Sequence, residues 1–146
     1  MVRRGRVELY DEKLTIKAFR EFGNLKLNAG NDLIAAQLGG AGTPRPTFIA
    51  VGTSAVAPAA AQTALQGEFT GVARRTIGSF THTTGQGSHQ LFKTGGPGTW
   101  TGTVQESGMA NKQGAGTLAS FLNRGTFGAV TKAASDSLKV AWYVSY

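Results

Sequence analysis

Residues 48–74 read FIAVGTSAVAPAAAQTALQGEFTGVAR, and this stretch is the most informative part of the chain. Residues 48–51 form a short apolar run closed by Gly52, a pattern typical of a strand that is buried on both faces and ended by a turn. Residues 55–61 are too small and too interrupted by proline to build a core, which predicts a packed connector. We expect this connector to bring Leu65 into the interior and Glu68 to a polar partner. The stretch carries no catalytic motif.

The glycine content favours many short strands over a few long helices. The chain has 146 residues, enough for one domain with a sizeable core. It holds 21 glycines, about twice the usual share of about 7%. Most of them lie between residues 39 and 128, so turns are expected at regular spacing.

Several classes of site are excluded by composition. The chain has no cysteine, so it has neither disulfides nor thiolate metal sites nor a cysteine nucleophile. No apolar run reaches the roughly 18 residues of a membrane-spanning helix, and the start MVRRGR lacks the apolar region of a secretory signal. We therefore expect a chain of a soluble compartment that contacts no membrane.

The net charge of +7 is dispersed rather than gathered in one patch. Arg3, Arg4 and Arg6 cluster near the start of the chain, whereas the later lysines and arginines are scattered. A diffuse charge of this kind suits docking on an acidic protein surface at least as well as binding to a phosphate backbone.

Residues 1–28 are predicted to form an extended or hairpin-like N-terminal arm. They hold seven lysines and arginines and four of the eight acidic residues, with apolar residues alternating at a strand-like period on both sides of a turn at residues 11–13. We expect this arm to have little core of its own and to become ordered by lying on a neighbouring protein. The predicted partner contacts are Arg3, Arg4, Arg6, Leu9, Leu14 and Ile16.

Residues 29–46 are assigned to a short helix and a linker, and residues 47–146 to a β domain. The helix prediction covers residues 28–38, with Asn31 as the capping residue and Asp32 in the first turn. Strands are expected at residues 48–51, 71–82, 90–94, 99–105, 117–122, 126–130 and 137–145. In the last of these, Leu138, Val140, Trp142 and Val144 share one face, as in a half-buried antiparallel strand. The fold class that follows is mainly β, an antiparallel β-sandwich or barrel-like domain with one short helix and the extended arm.

Glu68 and Glu106 are the two carboxylates beside apolar segments, where an unpaired charge is unfavourable. Arg74 or Arg75 is the expected partner of Glu68, and Arg124 that of Glu106. General acid–base chemistry requires both carboxylates in one pocket with a nucleophile, metal or cofactor motif nearby. The sequence has no such motif, so we predict structural ion pairs, no enzymatic activity and no cofactor.

Other candidate sites have weaker support. The glycine-rich residues 39–43 and 95–99 lack the strand-then-helix order of a phosphate loop, and they are interpreted as turns. His82 and His89 flank a turn and can face each other in a hairpin, but two imidazoles do not complete a metal site. A triad of Ser79, His82 and Asp136 lacks the Gly-x-Ser-x-Gly pattern.

A nucleic-acid surface is the main alternative from the residues alone. Arg74 and Arg75 with Phe69 and Phe80, and Lys93 beside Phe92, resemble the basic and aromatic surface of single-strand binders. In a strand, however, Arg74 and Arg75 point to opposite faces, which splits this surface. Nucleic-acid binding is therefore the less favoured hypothesis.

The order of the motifs resembles a family of small all-β virion proteins of tailed bacteriophages. In that family an "IAVGT" strand precedes a Pro/Ala bend and a "TALQGE"-like segment, as in residues 49–68 here. Residues 106–109 resemble its "EAGLF" turn, residues 117–124 its "GTLLAR" strand, and residues 135–146 its closing "SDSLTVTWTV" strand. The resemblance covers residues 47–146 and leaves out the first 46.

This resemblance implies a structural protein of the virion, assembled in the host cytoplasm. The favoured role is a capsid decoration, or cement, protein that binds the major capsid protein, forms a homotrimer and stabilises the head shell, with no small-molecule substrate. A tail, fibre or head-to-tail protein is the alternative in the same class, and a nucleic-acid-binding β-barrel is the alternative from another class.

Overall fold

A computed structural model describes residues 2–82, 88–116 and 119–145. These residues form ten β-strands and one α-helix. In chain order the elements are β1 (Val2–Tyr10), β2 (Ile16–Gly23), β3 (Leu25–Lys26), α1 (Asn28–Leu38), β4 (Phe48–Gly52), β5 (Arg75–Thr76), β6 (Ser79–His82), β7 (Ser88–Gly95), β8 (Gly102–Ala110), β9 (Phe121–Lys132) and β10 (Ser137–Ser145). No helix within these ranges is long and apolar enough to cross a bilayer.

The strands form two five-stranded antiparallel sheets, so the predicted β-sandwich is confirmed. The first sheet has the order β2-β1-β10-β7-β6, and the second has the order β3-β9-β8-β4-β5. The chain changes sheets four times, between β2 and β3, β5 and β6, β7 and β8, and β9 and β10. The first two of these crossings connect edge strands at opposite sides, so the sandwich is joined at both sides without closing into a barrel.

The core lies between the two sheets. Alternate side chains of β10 point into it. Leu138, Val140, Trp142 and Val144 are buried, as the period of two predicted. They pack with apolar side chains of the second sheet, among them Val104 and Phe127. Large side chains that leave water in this way stabilise a fold by about 1.5 to 3 kcal/mol each.

The N-terminal segment differs from the expectation of an arm with little core. β1 lies between β2 and β10 as an inner strand of the first sheet, and it pairs with β10 from Val2 to Tyr10. Val7 and Leu9 are buried in the main core beside Leu138 and Trp142. The alternation in β1 therefore marks a strand with one face in the core, and the expectation of little core is wrong.

Helix α1 spans the predicted residues but begins differently. Because the helix starts at Asn28, Asn31 and Asp32 lie beyond its start, Leu27 is the capping residue, and no side chain caps the helix. The Asn28 N–H donates to the carbonyl of Ala60 instead. Gly30 lies against the backbone of Leu122, where a Cβ would collide, so α1 packs directly on β9.

Four of the predicted strands are divided, shifted or joined in the structure. The predicted strand at residues 71–82 is broken into β5 and β6, because the chain changes sheets there. The strand expected at residues 99–105 begins at Gly102 and continues to Ala110, so residues 106–109 lie in a strand and not in a turn. β9 joins the strands predicted at residues 117–122 and 126–130 into one of 12 residues, and residues 117–118 lie outside the described part.

Candidate functional site

Glu106 lies at the centre of a buried hydrogen-bonded network beneath the loop of residues 53–67. Its side chain is on β8, and its oxygens accept hydrogen bonds from the Gln66 N–H at 3.1 Å and the Gly67 N–H at 2.6 Å. Arg124 on the neighbouring strand β9 donates from Nε at 2.7 Å. Both charged side chains are fully buried. We call Glu106, Arg124, Gln62, Gln66 and Gly67 the Glu106 network.

Gln62 connects this network to the proline- and alanine-rich bend. Its Oε1 accepts hydrogen bonds from Nη1 of Arg124 at 2.9 Å and from the N–H of Ala59 at 2.9 Å. The side-chain amide of Gln62 therefore links the bend to the buried Arg124. The role of Gln62 is not predictable from the sequence, because no nearby residue indicates that Arg124, 62 residues later, lies beside it.

The second ion pair links Glu68 to Arg74. Arg74 donates from Nε and Nη2 to the two oxygens of Glu68 at 2.6 and 2.9 Å, and from Nη1 to the carbonyl of Lys112 at 3.1 Å. Its guanidinium lies 4.9 Å from the ring centroid of Phe121. Paired charges of this geometry are rigid, because two parallel hydrogen bonds fix the orientation of the guanidinium.

The two carboxylates lie on either side of one backbone position. Gly52 pairs with Glu106 of β8, and on its other side it forms an isolated bridge with Glu68. A Cβ at Gly52 would lie 2.5 Å from Oε1 of Glu106, so only glycine fits between them. Each carboxylate is held by its own arginine, which leaves neither positioned as a general base. This arrangement can hold the loop on the sandwich.

The tip of the β1–β2 hairpin presents apolar side chains to solvent. Leu14 is 75% exposed, Ile16 50% and Phe19 52%. We call these three residues the hairpin surface. They lie on or beside β2, which is an edge strand of the first sheet. Exposed edge strands with apolar side chains are common sites of pairing with another chain.

Leu14 also has an unfavourable backbone conformation. Its φ of 62° lies in the left-handed region, which costs a residue with a Cβ about 1 kcal/mol or more. The turn is held by Asp11, whose Oδ1 accepts hydrogen bonds from the N–H groups of Lys13 and Thr15. Glycine or asparagine is the usual residue in such a position. A leucine here is both strained and exposed, so nothing in the isolated fold favours it.

The other predicted partner-binding residues have different surroundings. Leu9 is buried in the core, so the prediction that it contacts a partner is wrong. Arg4 is exposed and stacks on Tyr143, 4.7 Å from the ring centroid. Arg6 pairs with Glu8 at 2.7 Å and lies 3.5 Å from Glu21, so its charge is already compensated within the hairpin. The side chain of Arg3 lies outside the described part.

The proposed basic and aromatic surface is divided among three places. Arg75 and Lys93 line one pocket, whereas Phe69 packs against the core and Phe92 lies beneath Lys139 on the outer face of the first sheet. Arg74 precedes β5, so the strand alternation expected for Arg74 and Arg75 does not apply, and Arg74 lines the same pocket. The side chain of Phe80 lies outside the described part.

The remaining candidate sites gain no support from the structure. The backbones of His82 and His89 pair across β6 and β7, as a hairpin predicts, but their side chains lie outside the described part. Among the described residues, no group of three or more His, Cys, Asp or Glu side chains comes together as a metal site. The side chain of Ser79 also lies outside the described part. Asp136 is therefore the one member of the proposed triad whose side chain the structure describes.

Asp136 instead fixes the N-terminal hairpin to the turn before β10. Its Oδ2 accepts hydrogen bonds from Nζ of Lys17 at 2.8 Å and from the N–H of Ala133 at 3.0 Å. The hydrogen bond from Lys17, followed by the one from Ala133, holds the pKa of Asp136 below its ordinary value. The interaction joins residues 119 positions apart, which no local pattern in the sequence indicates.

This lowered pKa predicts a loss of stability in acid. Because the pKa of Asp136 is lower in the folded chain than in the unfolded chain, its contribution is present above the ordinary carboxyl pKa of about 4 and is lost as the pH falls through the folded pKa. We expect the free energy of unfolding of Asp136→Asn to lie below that of the wild type at neutral pH, and the difference to shrink below about pH 4. Urea unfolding over this pH range measures it, and a difference that does not change with pH contradicts the assignment.

Comparison of the chain with models of protein families, with curated proteins and with solved structures finds no match. The resemblance to phage virion proteins therefore remains a prediction from the motifs in the sequence.

Proposed function

We propose that this chain is a structural protein of a bacteriophage virion, and specifically a capsid decoration protein. In this role it forms a homotrimer and binds the major capsid protein, so that each copy fastens neighbouring parts of the head shell. The order of the sequence motifs supports the class of protein. The hairpin surface supports action by assembly, and it is the observation on which the proposal mainly rests.

The conformation of Leu14 is the strongest part of this support. A residue that is strained and exposed in the isolated chain lowers its stability, so its presence is best explained by a contact made in the assembled state. Burying an apolar side chain at such a contact yields about 25 cal/mol for each Å² removed from water. Three neighbouring apolar side chains on an edge strand offer a small anchor of this kind, and repeated copies on a symmetric shell multiply a modest contact.

The rigid body behind the hairpin suits the same role. The Glu106 network and the Glu68–Arg74 pair fix the loop of residues 53–67 to the second sheet. A decoration protein needs a fixed shape to match a lattice, and buried paired charges help to specify one arrangement. A tail, fibre or head-to-tail position is compatible with these features and is the alternative within the same class.

A decoration assay tests the proposal. Shells purified without this chain are mixed with the wild type or with Leu14→Asn, and the bound copies are counted after sedimentation. We expect Leu14→Asn to bind at least tenfold more weakly, because hot-spot side chains carry most of a contact's energy. It should unfold at the same or a higher urea concentration, because asparagine tolerates the left-handed conformation.

The matched control is Leu38→Asn, which changes a leucine on α1 that is 85% exposed. This variant should decorate shells as the wild type does.

Cryo-electron microscopy of complete particles then locates the protein. Density on the head shell supports the decoration role, density along the tail supports the alternative, and a particle without the chain contradicts the whole class.

A further inference from the structure

A polar pocket lies at the corner where the chain crosses from the second sheet to the first, between β5 and β6. Its volume is about 360 Å³. It is lined by Arg75 and Thr76 of β5, Lys93 and Thr94 of β7, and Thr99 in the turn that follows β7, with Arg74 at one side. The pocket is on the part of the molecule built by β5 and β7, whereas the hairpin surface is built by β1 and β2.

The lining of this pocket has an excess of positive charge. Arg74, Arg75 and Lys93 contribute three cations, and no carboxylate is among the lining residues. Glu68 compensates the charge of Arg74. Within the described part of the chain, neither Arg75 nor Lys93 forms an ion pair, so two positive charges face the pocket without a counter-ion from the protein.

Arg75 is held in place before any ligand arrives. Its Nη2 donates to Oγ1 of Thr99 at 2.9 Å, and the N–H of Thr99 donates to the carbonyl of Gly96 at 3.1 Å. The next residue, Trp100, has a φ of 55° and a buried indole packed against Gly95. A strained non-glycine backbone persists only where its surroundings enforce it. The turn that positions Arg75 is therefore rigid.

Lys93 lies against the backbone at Gly78. A Cβ at Gly78 would lie 3.2 Å from Cδ and 3.4 Å from Nζ of Lys93, so the absence of a side chain there leaves room for the lysine. The ammonium group is consequently placed beside the chain segment that links β5 to β6. Arg75 and Lys93, which belong to different sheets, are thus brought to one pocket by the crossing itself.

We infer that this pocket binds the phosphate group of a small phosphorylated molecule. A phosphate monoester carries close to two negative charges at neutral pH, which matches the two cations that lack a counter-ion. The guanidinium of Arg75 offers planar paired donors suited to phosphate oxygens, and Lys93 supplies a point charge. Thr76 and Thr94 complete the polar lining beside these two cations. The volume is near the lower end of small-ligand sites, about 300 to 1,000 Å³.

Isothermal titration calorimetry of the full chain tests this site, with ribose 5-phosphate and inorganic phosphate as the probes and sodium chloride at equal ionic strength as the reference. We expect both phosphates to bind. The variant Arg75→Gln/Lys93→Met should bind them at least tenfold more weakly, because it removes both uncompensated charges. The control Arg45→Gln/Lys13→Met removes two exposed cations elsewhere and should bind as the wild type does.

Three results overturn the inference: no heat above the chloride reference, equal weakening in both double variants, or citrate binding as tightly as ribose 5-phosphate. A twelve-nucleotide oligothymidylate is titrated in the same way as a further probe. If it binds and the two small phosphates do not, the site is part of a nucleic-acid surface and the inference fails. Tighter binding of ribose 5-phosphate than of inorganic phosphate supports it and shows that the pocket also contacts the sugar. None of these outcomes depends on shell decoration.

Discussion

Replacing Glu106 by alanine is expected to lower the free energy of unfolding by about 3 to 5 kcal/mol. The substitution removes the acceptor of three hydrogen bonds, from Arg124 Nε and from the N–H groups of Gln66 and Gly67. It leaves the guanidinium of Arg124 charged and fully buried without its carboxylate. A buried charge without a partner is far less favourable than a buried pair. Urea unfolding at neutral pH, followed by circular dichroism, measures the change.

Two controls separate the buried network from ordinary surface charge. Glu21→Ala breaks the more exposed contact with Arg6 at 3.5 Å, and the expected change is below about 1 kcal/mol. The double variant Glu106→Leu/Arg124→Met removes both charges together and should recover part of the loss, because it leaves no unpaired charge in the interior. If Glu106→Ala unfolds at the same urea concentration as Glu21→Ala, the Glu106 network does not hold the loop.

Removing residues 1–10 is expected to abolish cooperative folding. β1 is the strand between β2 and β10, so its loss breaks two ladders, leaves one edge of β10 unpaired and removes Val7 and Leu9 from the core. A free arm, as the sequence predicted for residues 1–28, would instead be dispensable for folding. Thermal melting followed by circular dichroism distinguishes the two, because the truncated chain should show no sigmoidal transition.

A matched pair of leucine variants tests the same point without truncation. Leu9→Asn places a polar amide in the core and should lower the free energy of unfolding by at least about 3 kcal/mol. Leu14→Asn makes the same chemical change at the exposed hairpin tip and should not destabilise the chain. If the truncated chain melts cooperatively near the wild-type temperature and Leu9→Asn is as stable as Leu14→Asn, β1 is not part of the folding unit.

Local patterns predicted much of the fold because they report directly on burial. The apolar run at residues 48–51 is the buried strand β4, and the alternation from Leu138 to Val144 is the inner and outer face of β10. The same rule also applies to β1, where Val7 and Leu9 alternate with charged residues. An alternating pattern indicates that one face is buried, but it does not identify the surface that covers this face. The sequence therefore predicts an arm on a neighbouring protein where the structure has an inner strand, β1.

The partners of the two ion pairs could also be predicted from the sequence, because a carboxylate beside an apolar segment needs a nearby cation. Arg74 lies six residues from Glu68 and Arg124 lies 18 residues from Glu106, and both pairs are in contact. The donors and acceptors that complete these sites were not predictable. Gln62 and the N–H of Gly67 reach Arg124 and Glu106 only when the loop of residues 53–67 folds over β8 and β9. The carbonyl of Lys112 reaches Arg74 across 38 residues of sequence.

Local sequence patterns are sufficient to predict a mainly β structure with a strand at residues 48–51, a helix at residues 28–38 and a closing strand with one apolar face. These properties depend on residues close together in the chain, where side-chain periodicity and glycine placement act directly. Long-range strand pairing places the N-terminal hairpin in the first sheet, leaves Leu14 strained and exposed at the hairpin tip, and brings Arg75 and Lys93 to one pocket. Those outcomes depend on which strands pair across long stretches of chain, and the pairing is selected by the packing of the whole core rather than by any local pattern.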